Sequence, residues 1–363
     1  MRFAILGKHP DGLAMAAALV ASGRHEQTTR QVSDVEEVLA DPDVEAVIVA
    51  GDPSARPAQL RRALQSERHV LCVYPPDQTP DIVYEADLIR QDTGRVLMPL
   101  LPASAHPAVR RLADFIQLPG KDDNSASPIG AFRLLEMERV APRPAEGKAT
   151  FPGWDLLRTL GGEIAEVSGF AVGEHAEAGD TVLLSGRFER GGLFRVAFLP
   201  DHPDGQGRLA VIGDRGRADL VFPVGWQGPA FLDWRDEAGE LHEEAWDAWD
   251  PWPALVERFE AAVAAKTPTW LDAVRGAELD DAVRRSIERR RTSVLEYQEA
   301  SEETGFKGTM TLVGCGLIWS IILLVILSFW VPKIGWLIVP LLVIFLGMQF
   351  LRYLIPSRRS KEP

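Results

Sequence analysis

Residues 308–332 include no charged side chain, and beyond Lys333 a second uncharged run occupies residues 334–351. Two such runs in succession restrict this chain more than any other feature, because a helix that is apolar all round must be hidden in a bilayer or in a protein core. A membrane span takes about 20 apolar residues. Residues 312–331 (LVGCGLIWSIILLVILSFWV) meet that length, and the second run meets it with Tyr353, Leu354 and Ile355. Pro332-Lys333 is a turn-compatible break, flanked by Trp330 and Trp336, whose indole rings favour the headgroup layer. Pro340 within the second run is compatible with a kinked membrane helix. The alternative is a buried core hairpin, which back-to-back runs of this length disfavour. The expectation is a transmembrane helical hairpin over 308–356, with spans 308–331 and 334–355, followed by a basic tail at 357–363. Arg352, Arg358, Arg359 and Lys361 outnumber the single turn cation Lys333, which by the positive-inside rule places both chain ends and the soluble body on the cytoplasmic side.

The rest of the chain is of another kind. Lys307 and the cations of the tail face only Glu362, a net of +5 that leaves −18 on residues 1–306 of a chain whose total is −13. So acidic a body disfavours nucleic acid as a main partner, since phosphate binding needs a basic surface. With 46% hydrophobic and 25% charged residues over 363 positions, the composition is globular and too long for one ordinary core. Cys72 and Cys315 are the only cysteines, which excludes a disulfide scaffold and a multi-cysteine metal cluster. The seven histidines are dispersed without ligand spacing, so no metal site is expected. Residues 3–6 are too short for the apolar region of a signal peptide.

Residues 2–6 (RFAIL) read as a short strand that runs into Gly7-Lys8-His9-Pro10-Asp11-Gly12 and an alanine-rich helix at 13–22. Strand-like segments at 44–50, 69–73 and 95–100 alternate with helical ones at 34–40, 57–66 and 82–91. Such alternation implies a parallel sheet with helices on both faces and a ligand edge at the C-terminal ends of the strands. From residue 129 onward the period becomes two. Candidate strands fall at 132–140, 165–172, 181–188, 193–199, 209–213, 218–223, 231–236 and 240–245, linked by turns such as Glu189-Arg190-Gly191-Gly192. This predicts an open antiparallel sheet, followed by helices at 251–265 and 279–299, and domains drawn at 1–118 and 119–300.

The order strand, glycine turn, helix, then EEVLADPDVEAVIVAGDP, then SERHVLCVYPP, resembles the Gfo/Idh/MocA oxidoreductase family, and GWDLLRTLGGEIAEVSG carries the likeness on to about residue 296. The resemblance implies a Rossmann-like α/β domain with a parallel sheet, then an α+β domain with an open antiparallel sheet. It implies NAD or NADP as cofactor and a sugar, polyol or related carbonyl compound as substrate. It also implies face-to-face pairing of the open sheets, so a homodimer is the expected oligomer. By the same resemblance Gly7, Lys8, His9 and Gly12 form the cofactor-binding turn, and Tyr74 stands where the family has a catalytic lysine. Asp155 matches a catalytic aspartate, Pro152 occupies the position of a histidine three residues before it, and Arg56 that of another histidine.

Those positions depart from what the chemistry asks. A G-x-G-x-x-G turn binds pyrophosphate because its middle glycine lets the backbone approach the phosphates at a helix N-terminus. Here the middle position is His9, Pro10 removes a donor, and Asp11 is placed to cap the helix and repel phosphate. The contrary reading makes His9 a cationic phosphate ligand. Residues 23–33 are too few for the strand, ribose-binding acid and helix that the family places there. Tyr74 can donate a proton, but a phenol with an ordinary pKa of about 10 needs a cationic neighbour to serve at neutral pH. Plain structural readings stand beside these. Tyr74 can be a packed strand-end ring and Asp155 a helix N-terminal charge. Trp246, Trp249 and Trp252 read as packing or as a sugar platform, and Arg284, Arg285, Arg289, Arg290 and Arg291 as a solvated face paired with Asp280, Asp281 and Glu288, or as a grip on anionic lipid.

Loss of the glycine, the ribose segment, the lysine and the histidine together predicts a membrane-anchored, catalytically degenerate protein that works as a binding or scaffold module for a membrane or cytoplasmic protein partner. The competing expectation is an active NAD(P)-dependent oxidoreductase at the membrane, with Tyr74 and Asp155 handling the proton. In a third, the body only positions the hairpin for a membrane partner.

Overall fold

Short apolar segments in the first hundred residues pair side by side in parallel, as their continuous hydrophobicity requires. The computed structural model describes residues 1–290 apart from 29–34, 78–79, 117–126, 141–150, 173–180, 200–205, 224 and 237, together with 293–294. The elements in chain order are β1 (Arg2–Gly7), α1 (Pro10–Ala21), β2 (Glu26–Gln27), α2 (Val35–Leu39), β3 (Ala46–Ala50), α3 (Arg56–Gln65), β4 (His69–Val73), α4 (Asp81–Thr93), β5 (Leu97–Leu100) and α5 (Pro107–Ala113). Their sheet has the order β2-β1-β3-β4-β5, all parallel. β3 is buried at every residue, the mark of a strand covered on both faces. One face packs Phe3 and Ile48 against Met15 and Leu19 of α1. The other packs Val47 and Val49 against Leu60 and Leu64 of α3 and Ile82 and Val83 of α4. β2 is only two residues long and both are exposed, so the half of the sheet beyond β1 is short, as the spacing of residues 23–33 predicts.

Two glycines hold the first turn against β3. Gly7 has φ +111°, and a Cβ there would run into the Ala50 carbonyl; a Cβ on Gly12 would meet the Ala50 methyl. Gly12→Ala is therefore expected to destabilise the protein by about 1–3 kcal/mol through overpacking. A fall in the urea midpoint at unchanged slope would register it, whereas an unchanged midpoint would mean that α1 can move off the sheet.

The second sheet is built from β6 (Phe132–Val140), then, after α6 (Trp154–Gly161), β7 (Ile164–Ala171), β8 (Val182–Phe188), β9 (Leu193–Leu199), β10 (Gln206–Gly213), β11 (Arg217–Pro223), β12 (Ala230–Arg235) and β13 (Leu241–Trp246). Helices α7 (Trp252–Ala265) and α8 (Leu271–Arg289) follow, and β14 (Ser293–Val294) adds an edge. The order is β13-β12-β11-β10-β6-β9-β8-β7-β14. The expected antiparallel sheet is in fact mixed, because β6 and β9 pair in parallel. A parallel pair needs a long crossover, and the stretch from α6 through β8 supplies it. One face packs on the core, with Ala218, Leu220 and Phe222 of β11 alternating inward against outward Arg217 and Asp219.

α7 and the first turns of α8 return to the first sheet. Trp252, Leu255 and Phe259 join the α1 side, while Trp270, Ala273 and Val274 join the α3–α4 side, where the Trp270 Nε1–H donates to the Val83 carbonyl at 2.9 Å. α8 begins at Leu271 rather than at the predicted 279, since these apolar residues extend its buried stripe. By contacts the chain divides into Met1–Leu295 and Glu296–Pro363. The predicted spans 308–331 and 334–355 lie outside the described residues, and among the described residues no helix is long and apolar enough to cross a membrane.

Candidate functional site

At the C-terminal edge of the parallel sheet, Tyr74 follows β4, and Leu101, Pro102 and Ala103 follow β5. Together with residues of α6 and α8 they enclose a cavity of about 290 Å³. Its apolar walls include Phe151, Trp154 and Trp226, and its charged lining is Asp11, Arg139, Asp155, Asp272 and Asp280. The fold thus brings Tyr74 and Asp155 to one cavity although 80 positions separate them in the chain. Gly7, Lys8, His9 and Gly12 do not line it; Asp11 is the residue of their turn that does.

Tyr74 presents its hydroxyl toward α8, where Gly276 makes room: a Cβ at that position would collide with Oη. The hydroxyl is buried and has no hydrogen-bond partner among the described residues. Burial pushes the phenol well above its ordinary pKa, and the carboxyls of Asp280 and Asp155 push it further, against a smaller opposing pull from Arg284. The cationic neighbour that would make it a base is therefore outweighed. Tyr74 is held as a neutral proton donor.

Asp155 lies in the first turn of α6, behind Gly153 at φ +110°, and is 9% exposed. Its Oδ2 is buried without a partner among the described residues. Burial raises its pKa, countered by Arg139 and by a hydrogen bond from Ser104. Asp280 is 5% exposed, and its Oδ1 accepts from the Phe151 N–H at 3.1 Å and from the Trp154 indole at 2.8 Å. Burial pushes its carboxyl up to about 6, against those two bonds and Arg284. Asp272 is paired with Arg158, which also holds Glu163 at 2.6 Å, and with Arg258 at 3.4 Å.

Arg139, Asp272, Gly276 and Asp280 are functional residues that the sequence reading misses. For Asp280 it is mistaken: the residue is no surface partner of the arginines but a buried anchor for two cavity walls, because the α8 stripe turns it inward. Asp281 does make the predicted surface pair, with Arg285 at 2.8 Å. Gly276 offered a signal, since a glycine in the interior of a 19-residue helix marks a close approach. Trp249 and Trp252 pack, the first against His106 at 4.7 Å between ring centres and the second in the α1-side core.

The phosphate turn is arranged differently from expectation. His9, not Asp11, caps α1: its Nδ1 accepts from the Asp11 N–H at 3.3 Å, and its own N–H donates to the Ala50 carbonyl at 3.0 Å. Pro10 occupies the first helical position and puts Asp11 inside the helix. Burial lowers the pKa of His9, Asp11 opposes, and Arg56 adds to the lowering, so the ring is a neutral acceptor and not a cationic phosphate ligand. Arg56 is buried and ties two edge loops, donating to the Gly51 and Pro75 carbonyls at 2.8 Å each. For a dinucleotide, the residues fit at one end. The cavity beside Tyr74 has room and donors for a nicotinamide, and Gly7 and Gly12 keep the turn tight. At the other end, a pyrophosphate would have to displace the His9 ring from its cap. Elsewhere among the described residues, Asp236, Glu240 and His242 bring ligand-type atoms within 4.8 Å of one another at the β12–β13 turn, where His242 is already bonded to Asp236 at 3.0 Å.

Residues 11–99 match the Gfo/Idh/MocA family, described as an oxidoreductase family with an NAD-binding Rossmann fold. No curated protein matches the chain. Among solved structures, an oxidoreductase from Agrobacterium radiobacter in complex with NAD+, L-tartaric acid and magnesium is similar at 13% identity and TM-score 0.65, over 81% of this chain and 98% of that one. The WlbA dehydrogenase from Bordetella pertussis, in complex with NADH and UDP-GlcNAcA, is similar at 15% identity and TM-score 0.64, over 82% and 99%. The 3-ketoreductase KijD10 from Actinomadura kijaniata, in complex with NADP, is similar at 18% identity and TM-score 0.64, over 79% and 97%. At these identities the likeness is one of fold: a Rossmann domain followed by a domain with a broad second sheet.

Proposed function

We propose that the chain is an NAD(P)-dependent oxidoreductase of the Gfo/Idh/MocA type that reduces a small carbonyl compound in the cavity between its two sheets. One observation carries this reading: a neutral phenol and a buried carboxyl, Tyr74 and Asp155, both without hydrogen-bond partners among the described residues, line one cavity at the ligand edge of a Rossmann sheet. The family match over residues 11–99 and the likeness to dehydrogenases and reductases support it over the degenerate reading. A bound nicotinamide would supply the hydride. The rest falls to the chain. Tyr74 Oη donates its proton to the carbonyl oxygen as negative charge develops there. Asp155 Oδ2 accepts from a neighbouring donor on the substrate and fixes its orientation, while Phe151, Trp154 and Trp226 exclude water. Because the raised pKa makes Tyr74 a good donor and a poor base, the favoured direction is reduction.

A binding or scaffold module is the second reading, favoured by the His9 cap and the two-residue β2 at the adenosine end. Titration of the full-length protein with NADH and NADPH separates the two, followed by nicotinamide fluorescence and by the thermal midpoint. At a hundred times Kd, binding adds about 2.7 kcal/mol of stability. The oxidoreductase reading expects that shift, and cofactor oxidation by a sugar or polyol-derived carbonyl. No shift at millimolar cofactor would leave the binding module.

The uncharged runs at 308–331 and 334–355 support a bilayer tether for this body, with the flanking cations favouring a cytoplasmic orientation. A homodimer is supported by Phe170, Leu183, Leu193, Phe231 and Leu241, which are exposed and, by strand register, share the face of the second sheet turned away from its core.

A further inference from the structure

Four carboxyl groups line the cavity, Asp11, Asp155, Asp272 and Asp280, against the single guanidinium of Arg139. Two of the four have company elsewhere. Asp272 is held by Arg158 and Arg258, and Asp11 lies 3.8 Å from the His9 ring. Asp155 and Asp280 remain, facing Arg139, with Arg284 felt at Asp280 from α8. Asp280 is fixed as a wall by the two bonds to its Oδ1. Asp155 is nine-tenths buried, and Arg139 acts on it through its field without a hydrogen bond to Oδ2. A stranded buried acceptor calls for a donor, and two carboxyls against one nearby guanidinium leave negative charge in surplus. Trp154, Trp226 and Phe151 add ring surfaces that tolerate a cation. A ligand that completes this lining donates to Asp155, brings positive charge, and accepts from Tyr74.

We infer that the cavity takes a small polyhydroxylated amine, bound as its ammonium ion against Asp155 with the oxygen to be reduced at Tyr74. This rests on the reading of the cavity as the substrate site, though not on cofactor turnover. A carboxylate or phosphate on the same skeleton would meet repulsion and offer no donor. A neutral polyol would satisfy the hydrogen bonds and leave the charge uncompensated.

Three probes share one six-carbon skeleton and differ at its end: glucamine with CH2NH3+, sorbitol with CH2OH and gluconate with COO−. Their affinities for the full-length protein are measured by calorimetry near neutral pH. Glucamine is expected to bind at least about tenfold more tightly than sorbitol, a difference of about 1.4 kcal/mol, with gluconate the weakest. Asp155→Asn should bring glucamine down to the sorbitol level. Should that variant fail to fold, the wild type gives the same information, since raising the pH past the pKa of the amine itself must erase the preference. Gluconate binding as well as glucamine, a preference that survives Asp155→Asn, or no binding by any of the three would overturn the inference. Glucamine binding without any response to NADH or NADPH would remove the oxidoreductase reading and leave this one standing.

Discussion

Tyr74→Phe is expected to lower the rate of carbonyl reduction by about 10²–10⁴-fold, the usual worth of a positioned general acid. The fold should be untouched. The hydroxyl that disappears is buried and makes no hydrogen bond among the described residues, so nothing in the cavity wall loses a partner. The ring stays in its packing beside Trp270 and Val274, and the space over Gly276 merely opens. An unchanged or slightly raised thermal midpoint together with the rate loss is therefore the specific signature. Cofactor oxidation measured with a panel of ketoses and aldoses, wild type against variant, checks it. Equal rates would show that the proton comes from elsewhere. A rate loss accompanied by a lower midpoint would show that the phenol packs and does not donate. The pKa of the phenol adds a second condition: raised by burial and by Asp280 and Asp155, Tyr74 stays protonated, so the wild-type rate of reduction should not decline between neutrality and about pH 9 through loss of this proton.

The parts of this protein that could be read in advance are those decided by local pattern. β3 and β4 are apolar at successive positions because both faces are covered, and their sequences say so. Strands β6 and β9 fall where alternation places them, at Phe132–Val140 and Leu193–Leu199. Their parallel pairing leaves no local trace, since parallel and antiparallel neighbours show the same period of two. The helix cap was legible in principle. Proline favours the first helical position, so Pro10 already implies that His9 is the cap and Asp11 is not; the general preference for aspartate as a cap hides it. The cavity is a different matter. Asp272, Gly276 and Asp280 lie about two hundred positions from Tyr74, on a helix whose surface also carries arginines, and only the return of α7 and α8 to the first sheet brings them opposite the end of β4. Arg139 likewise needs the edge of β6 to be placed. The net charge of a cavity is a tertiary property.

A second histidine–proline cap gives the largest expected response to acid. His106 precedes Pro107 as His9 precedes Pro10, and its Nδ1 accepts from the Ala108 N–H at 3.1 Å at the start of α5. Unlike His9 it is wholly buried, with the rings of Trp249 and Trp226 at 4.7 and 5.7 Å, and its Nε2 has no partner among the described residues. Burial pushes the imidazole from its ordinary 6.5 down to about 4. The unfolded chain therefore takes up this proton before the folded one, and stability is lost as the pH falls through that window, by about 2.5 kcal/mol at about pH 4.5. Asp280 works against it. With its carboxyl raised from 3.8 to about 6, its contribution is full below 3.8 and is lost as the pH rises through 6. The wild type shows only the difference of the two, which is why a variant is needed. His106→Asn keeps a side chain able to cap a helix and removes the titration. In urea unfolding near neutrality and again at about pH 4.5, the gap between wild type and variant should move by about 2.5 kcal/mol in favour of the variant on acidification. Any constant offset from the smaller side chain drops out of that comparison. Parallel acid responses in the two proteins would mean that the folded protein protonates His106 as readily as the unfolded chain does, and that the pocket between the two tryptophans admits the charge.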